Sequence, residues 1–125
     1  MQLQLRLIVL LGGVLGATAA GNSAADLMVT GGFISGNLLY ASMTSESEID
    51  RERAAGYVSG VVDAEAVTVA TQRASPLFCI PTQGITTSQT VEVVERYLRE
   101  HPEQRRYTGA GLVVLALTSA FPCAK

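Results

Sequence analysis

Leu112-Val113-Val114-Leu115-Ala116-Leu117, running on to Phe121-Pro122-Cys123, is the stretch that decides the fold. It has no polar face, so a helix here must be central and buried. Thr108 is placed to cap it. Gly109-Ala110-Gly111 lets its first turn pack tightly, and Pro122 stops it. Its apolar length, about fourteen residues, falls well short of the roughly twenty that a bilayer span needs. Phe78-Cys79-Ile80-Pro81 and Tyr97-Leu98-Arg99-Glu100-His101-Pro102 belong with this stretch. Together the three segments hold both cysteines and three of the four prolines.

Working backwards, Thr86-Thr87-Ser88-Gln89 has the form of a capping box, with Thr86 as the cap and Gln89 reaching back. A helix should follow to about Glu100, since the residue before Pro102 avoids helical geometry. Val91, Val94 and Leu98 form its inner stripe, with Tyr97 beside it. Glu92–Arg96 and Glu95–Arg99 are spaced for ion pairs with the acid first. Gln72 to Ile85 is a loop broken by Pro76, Pro81 and Gly84, and Phe78 and Ile80 should pin it to the core.

A longer helix is expected from about Ser47 to about Thr71. Ala54, Tyr57, Val58, Val61, Val62, Ala66 and Val69 recur at three and four along it. Gly56, Gly60 and Ala64 fall every four residues and make a groove where another helix can approach; alternatively, the glycines kink the helix. Each glycine costs about 1 kcal/mol of helix propensity against alanine, so close packing is expected to compensate. Ser35 can cap a short first helix ending near Met43. No convincing strand pattern occurs. The fold class is therefore all-α, a small bundle of about four helices with one disulfide.

The N-terminus reads as a signal peptide: a short start with Arg6, an apolar run of about nine residues from Leu7 to Leu15, then Ala17-Thr18-Ala19-Ala20 as the cleavage region. The cut is placed after Ala19 or Ala20, leaving residues 21–125 as one helical domain. A membrane anchor or a buried first helix is the alternative. The chain has nine basic and eleven acidic side chains, net −2, and loses Arg6 with the leader to reach −3. That mild acidity argues against nucleic acid and against a lipid surface. Export places the two cysteines where disulfides persist, so Cys79 and Cys123 most simply form one bridge; two free buried thiols are the other option. The bridge would close a loop of about 45 residues and contribute about 4 kcal/mol on a chain-entropy basis.

Chemistry-bearing residues are sparse. His101 sits at a helix end before a proline, and nothing in the sequence places it near either sulfur. Two cysteines and one histidine lack zinc-ligand spacing. Asp63 and Glu65 stand at i and i+2 on a helix and point apart. No phosphate loop or serine-nucleophile motif occurs. The expectation is a non-enzyme with no cofactor and no metal, acting through its surface.

Gly36-Asn37-x-Leu39, Gly56-Tyr57-x-x-Gly60-Val61-x-Asp63, Phe78-Cys79-Ile80-Pro81, Tyr97-Leu98-x-x-His101-Pro102-Glu103 and Leu112-x-x-x-Ala116-Leu117-x-x-Ala120-Phe121-Pro122-Cys123 resemble the Rap1a/Tai family. These are small exported helical proteins of Gram-negative bacteria. The resemblance implies a periplasmic immunity protein that binds and occludes the active-site cleft of a type VI secretion peptidoglycan amidase effector, and that acts as a homodimer. Gln89, Glu92, Arg96 and Arg99, with the loop Thr82 to Ser88, are the candidate contact residues; an ordinary solvated helix face is the competing reading. A periplasmic protein-binding or chaperone-like module with no toxin partner is the alternative function. Family members often carry two further cysteines, at places held here by Ser42 or Met43 and by Ala54, so the N-terminal helix should be held by packing alone.

Overall fold

The computed structural model describes residues 27–28 and 32–125. The expected leader and its cleavage site at Ala19 or Ala20 lie outside the described residues. Four helices make the body: α1 (Gly36–Met43), α2 (Glu48–Gln72), α3 (Thr87–Glu100) and α4 (Gly109–Ala120), with a 3-10 turn at Pro102–Gln104. Among the described residues there is no strand, only an isolated bridge between Ser35 and Thr108. No helix among them is long and apolar enough to cross a membrane.

Each helix starts where a hydroxyl side chain can take an orphan N–H. Leu38 N–H donates to Ser35 Oγ at 3.2 Å, Asp50 N–H to Ser47 Oγ at 3.4 Å, and Gly111 N–H to Thr108 Oγ1 at 3.2 Å. At α3 the capping box is complete. Gln89 N–H donates to Thr86 Oγ1 at 3.2 Å, and Thr86 N–H donates to Gln89 Oε1 at 2.8 Å.

The all-apolar helix α4 is the axis of the bundle, as its lack of a polar face requires. Leu112, Val113, Val114, Ala116 and Leu117 are buried against Leu39, Val58, Val94 and Leu98 of the other three helices. The start of α1 is stitched to the chain before α4. Gly36 N–H donates to the Tyr107 carbonyl at 2.9 Å, Asn37 N–H to Arg105 at 2.8 Å, and Gly109 N–H to Ile34 at 2.7 Å. A Cβ on Gly36 would strike Leu112 and lie 2.8 Å from Arg105 Cα, so only glycine fits. Arg105 completes this corner: its Nε donates to the Leu98 carbonyl at 2.6 Å, closing the end of α3, and its guanidinium lies 3.7 Å over the Tyr40 ring.

The loop after α2 begins at Arg73, in left-handed geometry (φ 51°), and crosses back over the bundle. Leu77 N–H donates to Glu65 Oε1 at 2.8 Å, Thr118 Oγ1 donates to the Leu77 carbonyl at 3.1 Å, and Cys79 N–H donates to the Phe121 carbonyl at 2.8 Å. Phe78 is buried and Ile80 is half-buried against the core. The Cys79–Cys123 disulfide closes the crossing, with the two Cα atoms 4.9 Å apart.

One expectation is corrected and one is extended. Among the described residues the small-residue groove of Gly56, Gly60 and Ala64 has no packing partner: all three are exposed, and a Cβ at either glycine meets no described atom within 4 Å. At 3.6 residues per turn these positions lie opposite Ala54 and Val58, the two residues α2 buries. A helix with one core face cannot bury both. Past Val62, α2 is mostly exposed, with Ala66 exposed and Val67 60% exposed, while Glu65 and Val69 stay half-buried. In α3 the fully covered positions are Thr90, Val94 and Leu98, while Val91 is half-buried. Thr90 can enter the core because its hydroxyl donates to the Thr86 carbonyl at 3.1 Å, so no polar group is stranded.

Candidate partner-binding surface

A cleft of about 420 Å³ opens between α2 and the segment that runs from the disulfide into α3. Val58, Ser59, Val62 and Asp63 make the α2 wall. Ile80, Pro81, Thr82 and Ile85 make the facing wall, and Thr86, Thr87 and Thr90 close the end where α3 begins. The facing wall is placed by the crossing loop: Cys79 is locked to Cys123 one residue before Ile80. Its far end is fixed by the Thr86–Gln89 capping box. A loop tied at both ends retains little freedom to lose on binding, which favours association.

The sequence-derived contact residues Gln89, Glu92, Arg96 and Arg99 are all exposed along α3. They sit on the side opposite Thr90, Val94 and Leu98, whereas Thr82, Thr86 and Thr87 of the loop face the α2 cleft. The loop wall and the charged stripe therefore present to different sides of α3. Within the stripe, Arg99 Nη1 lies 3.3 Å from Glu95 Oε1. The expected Glu92–Arg96 pair is not formed; a pair at this spacing is worth only about 0.5 kcal/mol, so little is lost without it. Arg96 instead lines a shallow groove with Tyr97, Glu100 and Ala116.

What the sequence left unassigned is the α2 wall. Asp63 and Glu65 do point apart: Glu65 is spent on Leu77, and Asp63 faces the cleft with no ion pair or side-chain hydrogen bond among the described residues. The available signal was the i, i+3, i+4 set Ser59, Val62 and Asp63, which flanks the buried stripe rather than opposing it.

The groups that a reaction would need do not converge. His101 Nδ1 is 2.8 Å from the Tyr97 carbonyl, and because a carbonyl only accepts, that nitrogen carries the proton. The imidazole stacks on the Tyr97 ring at 4.2 Å and has no carboxylate beside it. Tyr97 in turn donates its hydroxyl to Gln104 Oε1 at 2.8 Å. Burial pushes the Tyr97 hydroxyl pKa up, against a lowering by Gln104 and with a small further rise from Glu103. Burial likewise raises Tyr57, opposed by a backbone hydrogen bond at Ala110. Neither phenol is prepared to act as a base. Among the described residues no three His, Cys, Asp or Glu side chains cluster as metal ligands would.

The sequence matches the family model of Rap1a immunity proteins over residues 22–123. The chain belongs to this family. Searches of curated proteins and of solved structures return no match. Membership implies an immunity function, and immunity implies a toxin effector as the bound partner. The family motif Gly56-Tyr57-x-x-Gly60-Val61-x-Asp63 then divides by role. Tyr57 packs against Gly109, where an added Cβ would lie 3.2 Å from its ring, and Asp63 lies in the cleft. Gly56 and Gly60 have no close contact to serve among the described residues.

Proposed function

We propose that the protein is a periplasmic immunity protein that binds a peptidoglycan amidase effector of type VI secretion and covers its active-site cleft. The observation that carries this reading is the family match across nearly the whole chain. Removal of residues 1–20 on export would leave the helical domain in the compartment where the amidase acts and where the Cys79–Cys123 bridge persists. The protein acts as a homodimer and contributes no chemistry of its own. Inhibition by occlusion needs only a complementary, preorganised surface and slow release. The tied loop Thr82 to Ser88 supplies such a surface, and Gln89, Glu92, Arg96 and Arg99 offer a second, polar one on the other side of α3.

The test is direct. The purified, disulfide-bonded protein is mixed with the amidase encoded by a neighbouring gene, and peptidoglycan cleavage is followed. Loss of cleavage at near-equimolar ratio supports the reading. Undiminished cleavage, with no complex at micromolar concentrations, rules it out.

A further inference from the structure

The cleft between α2 and the loop has a chemical character that specifies its occupant. Its walls are apolar at Val62 and Ile80 and carry hydroxyls at Ser59 and Thr82, and among the described residues Asp63 is the sole charged side chain lining it. Among the described residues no lysine or arginine borders it. Asp63 has no counter-ion among the described residues. The one opposing influence is the amino end of α3 at Thr87, equivalent to about half a positive charge. The capping box already uses two of the N–H groups there, at Thr86 and Gln89. A full carboxylate charge outweighs what is left.

We propose that this cleft receives a basic side chain, an arginine or lysine, from the protein's partner. The methylene stem lies between Val62 and Ile80, and the cationic head pairs with Asp63 and the neighbouring hydroxyls. Long basic side chains combine an apolar stem with a charged tip, which is the combination these walls offer. The proposal deepens the immunity reading by naming the chemistry of the partner's anchor, and it rests on that reading for the partner's identity.

The test uses side-chain mimics and does not need the toxin. The isotope-labelled, disulfide-bonded protein is titrated at pH 7 with n-butylguanidinium, its neutral isostere n-butylurea, and butyrate, and backbone amide shifts are followed. The expected result is saturable shifts at Ser59, Asp63, Thr82 and Thr87, with n-butylguanidinium binding about threefold more tightly than n-butylurea, the scale of an exposed ion pair. Asp63→Asn, an exposed position on α2, should erase that preference while leaving the spectrum otherwise folded. Equal binding of the urea, stronger shifts with butyrate, a preference that survives Asp63→Asn, or no saturable shift in the cleft would each overturn the proposal. Amidase inhibition is scored separately, so an amidase that is not inhibited refutes the immunity reading without touching the cation preference, and the converse holds.

Discussion

Replacing Gly56 and Gly60 by alanine should stabilise the protein, and the magnitude follows from the geometry. Both lie inside α2, where glycine costs about 1 kcal/mol against alanine through backbone entropy. A Cβ at either position meets no described atom within 4 Å, so no clash among the described residues offsets the gain. The double variant should therefore gain about 2 kcal/mol. In a domain of this size each kcal/mol moves Tm by about 4–8 °C, which puts the expected rise above about 8 °C in a circular-dichroism melt of the oxidised protein. Gly36→Ala supplies the opposite case. Its Cβ would meet the Arg105 backbone at 2.8–2.9 Å as well as Leu112, and backbone cannot swing aside as a side-chain tip can. A loss of about 1–3 kcal/mol is expected there. A fall in Tm for the α2 variant, together with a parent Tm that climbs with protein concentration, would refute the reasoning. It would mean the small-residue face is covered by a second copy after all.

Three other perturbations follow from particular contacts. Replacing Cys79 and Cys123 together by serine should cost about 4 kcal/mol for a loop of this length, read as a large drop in Tm; an unchanged melt would mean the crossing loop is held by its hydrogen bonds to Phe121 and Thr118 alone. Tyr57 and Tyr97 titrate above 10.0 in the folded state because burial disfavours the phenolate. Their contribution to stability is thus full below about pH 10 and is lost as pH climbs through the raised values. Denaturant midpoints should fall across that window, less steeply in Tyr57→Phe/Tyr97→Phe, and equal slopes would contradict the assignment. Ser42 and Ala54 line one apolar cleft of about 290 Å³ between α1 and α2. Ser42→Cys/Ala54→Cys should oxidise to leave no free thiol and raise Tm by the equivalent of about 3 kcal/mol, whereas two persistently titratable thiols would show that the pair does not meet.

The parts of the fold that were legible in the sequence are those governed by local chemistry. Ser35, Thr86 and Thr108 each cap the helix assigned to them, and Ser47, where the long helix was expected to start, proves to be its cap, because a hydroxyl at a helix start has one geometrically sensible use. The buried course of α4 was legible because a helix with no polar face has nowhere else to go. The errors arose where one helix offered two stripes. In α2, Gly56, Gly60 and Ala64 looked like a packing groove, yet the apolar stripe through Ala54 and Val58 lies on the other side and takes the core. The helical period alone was enough to separate them. Arg105 carries no local signal, because its role depends on carbonyls at Leu98 and Arg99 that tertiary folding brings within reach.

The candidate surface was legible only by halves, for the same reason. The loop Thr82 to Ser88 is marked by its flanking bridge and capping box, but its opposite wall comes from α2, about twenty residues upstream, and no local signal pairs them. Once paired, the arrangement explains why the bridge sits at Cys79. Ile80 and Pro81 follow it directly into the cleft wall, while Phe78 precedes it into the core. The disulfide thus lies at the point where buried packing hands over to exposed surface. Of the ties on the crossing loop, those at Leu77 and Phe78 lie on the core side of this point. Breaking the bridge should therefore loosen the cleft wall before it loosens the bundle, and the cation preference of the cleft should weaken under reducing conditions that leave the far-ultraviolet helical signal unchanged. A preference that persisted until the helices melted would show that the wall is held from the α3 end, by Thr86 and Gln89, and not by the sulfurs.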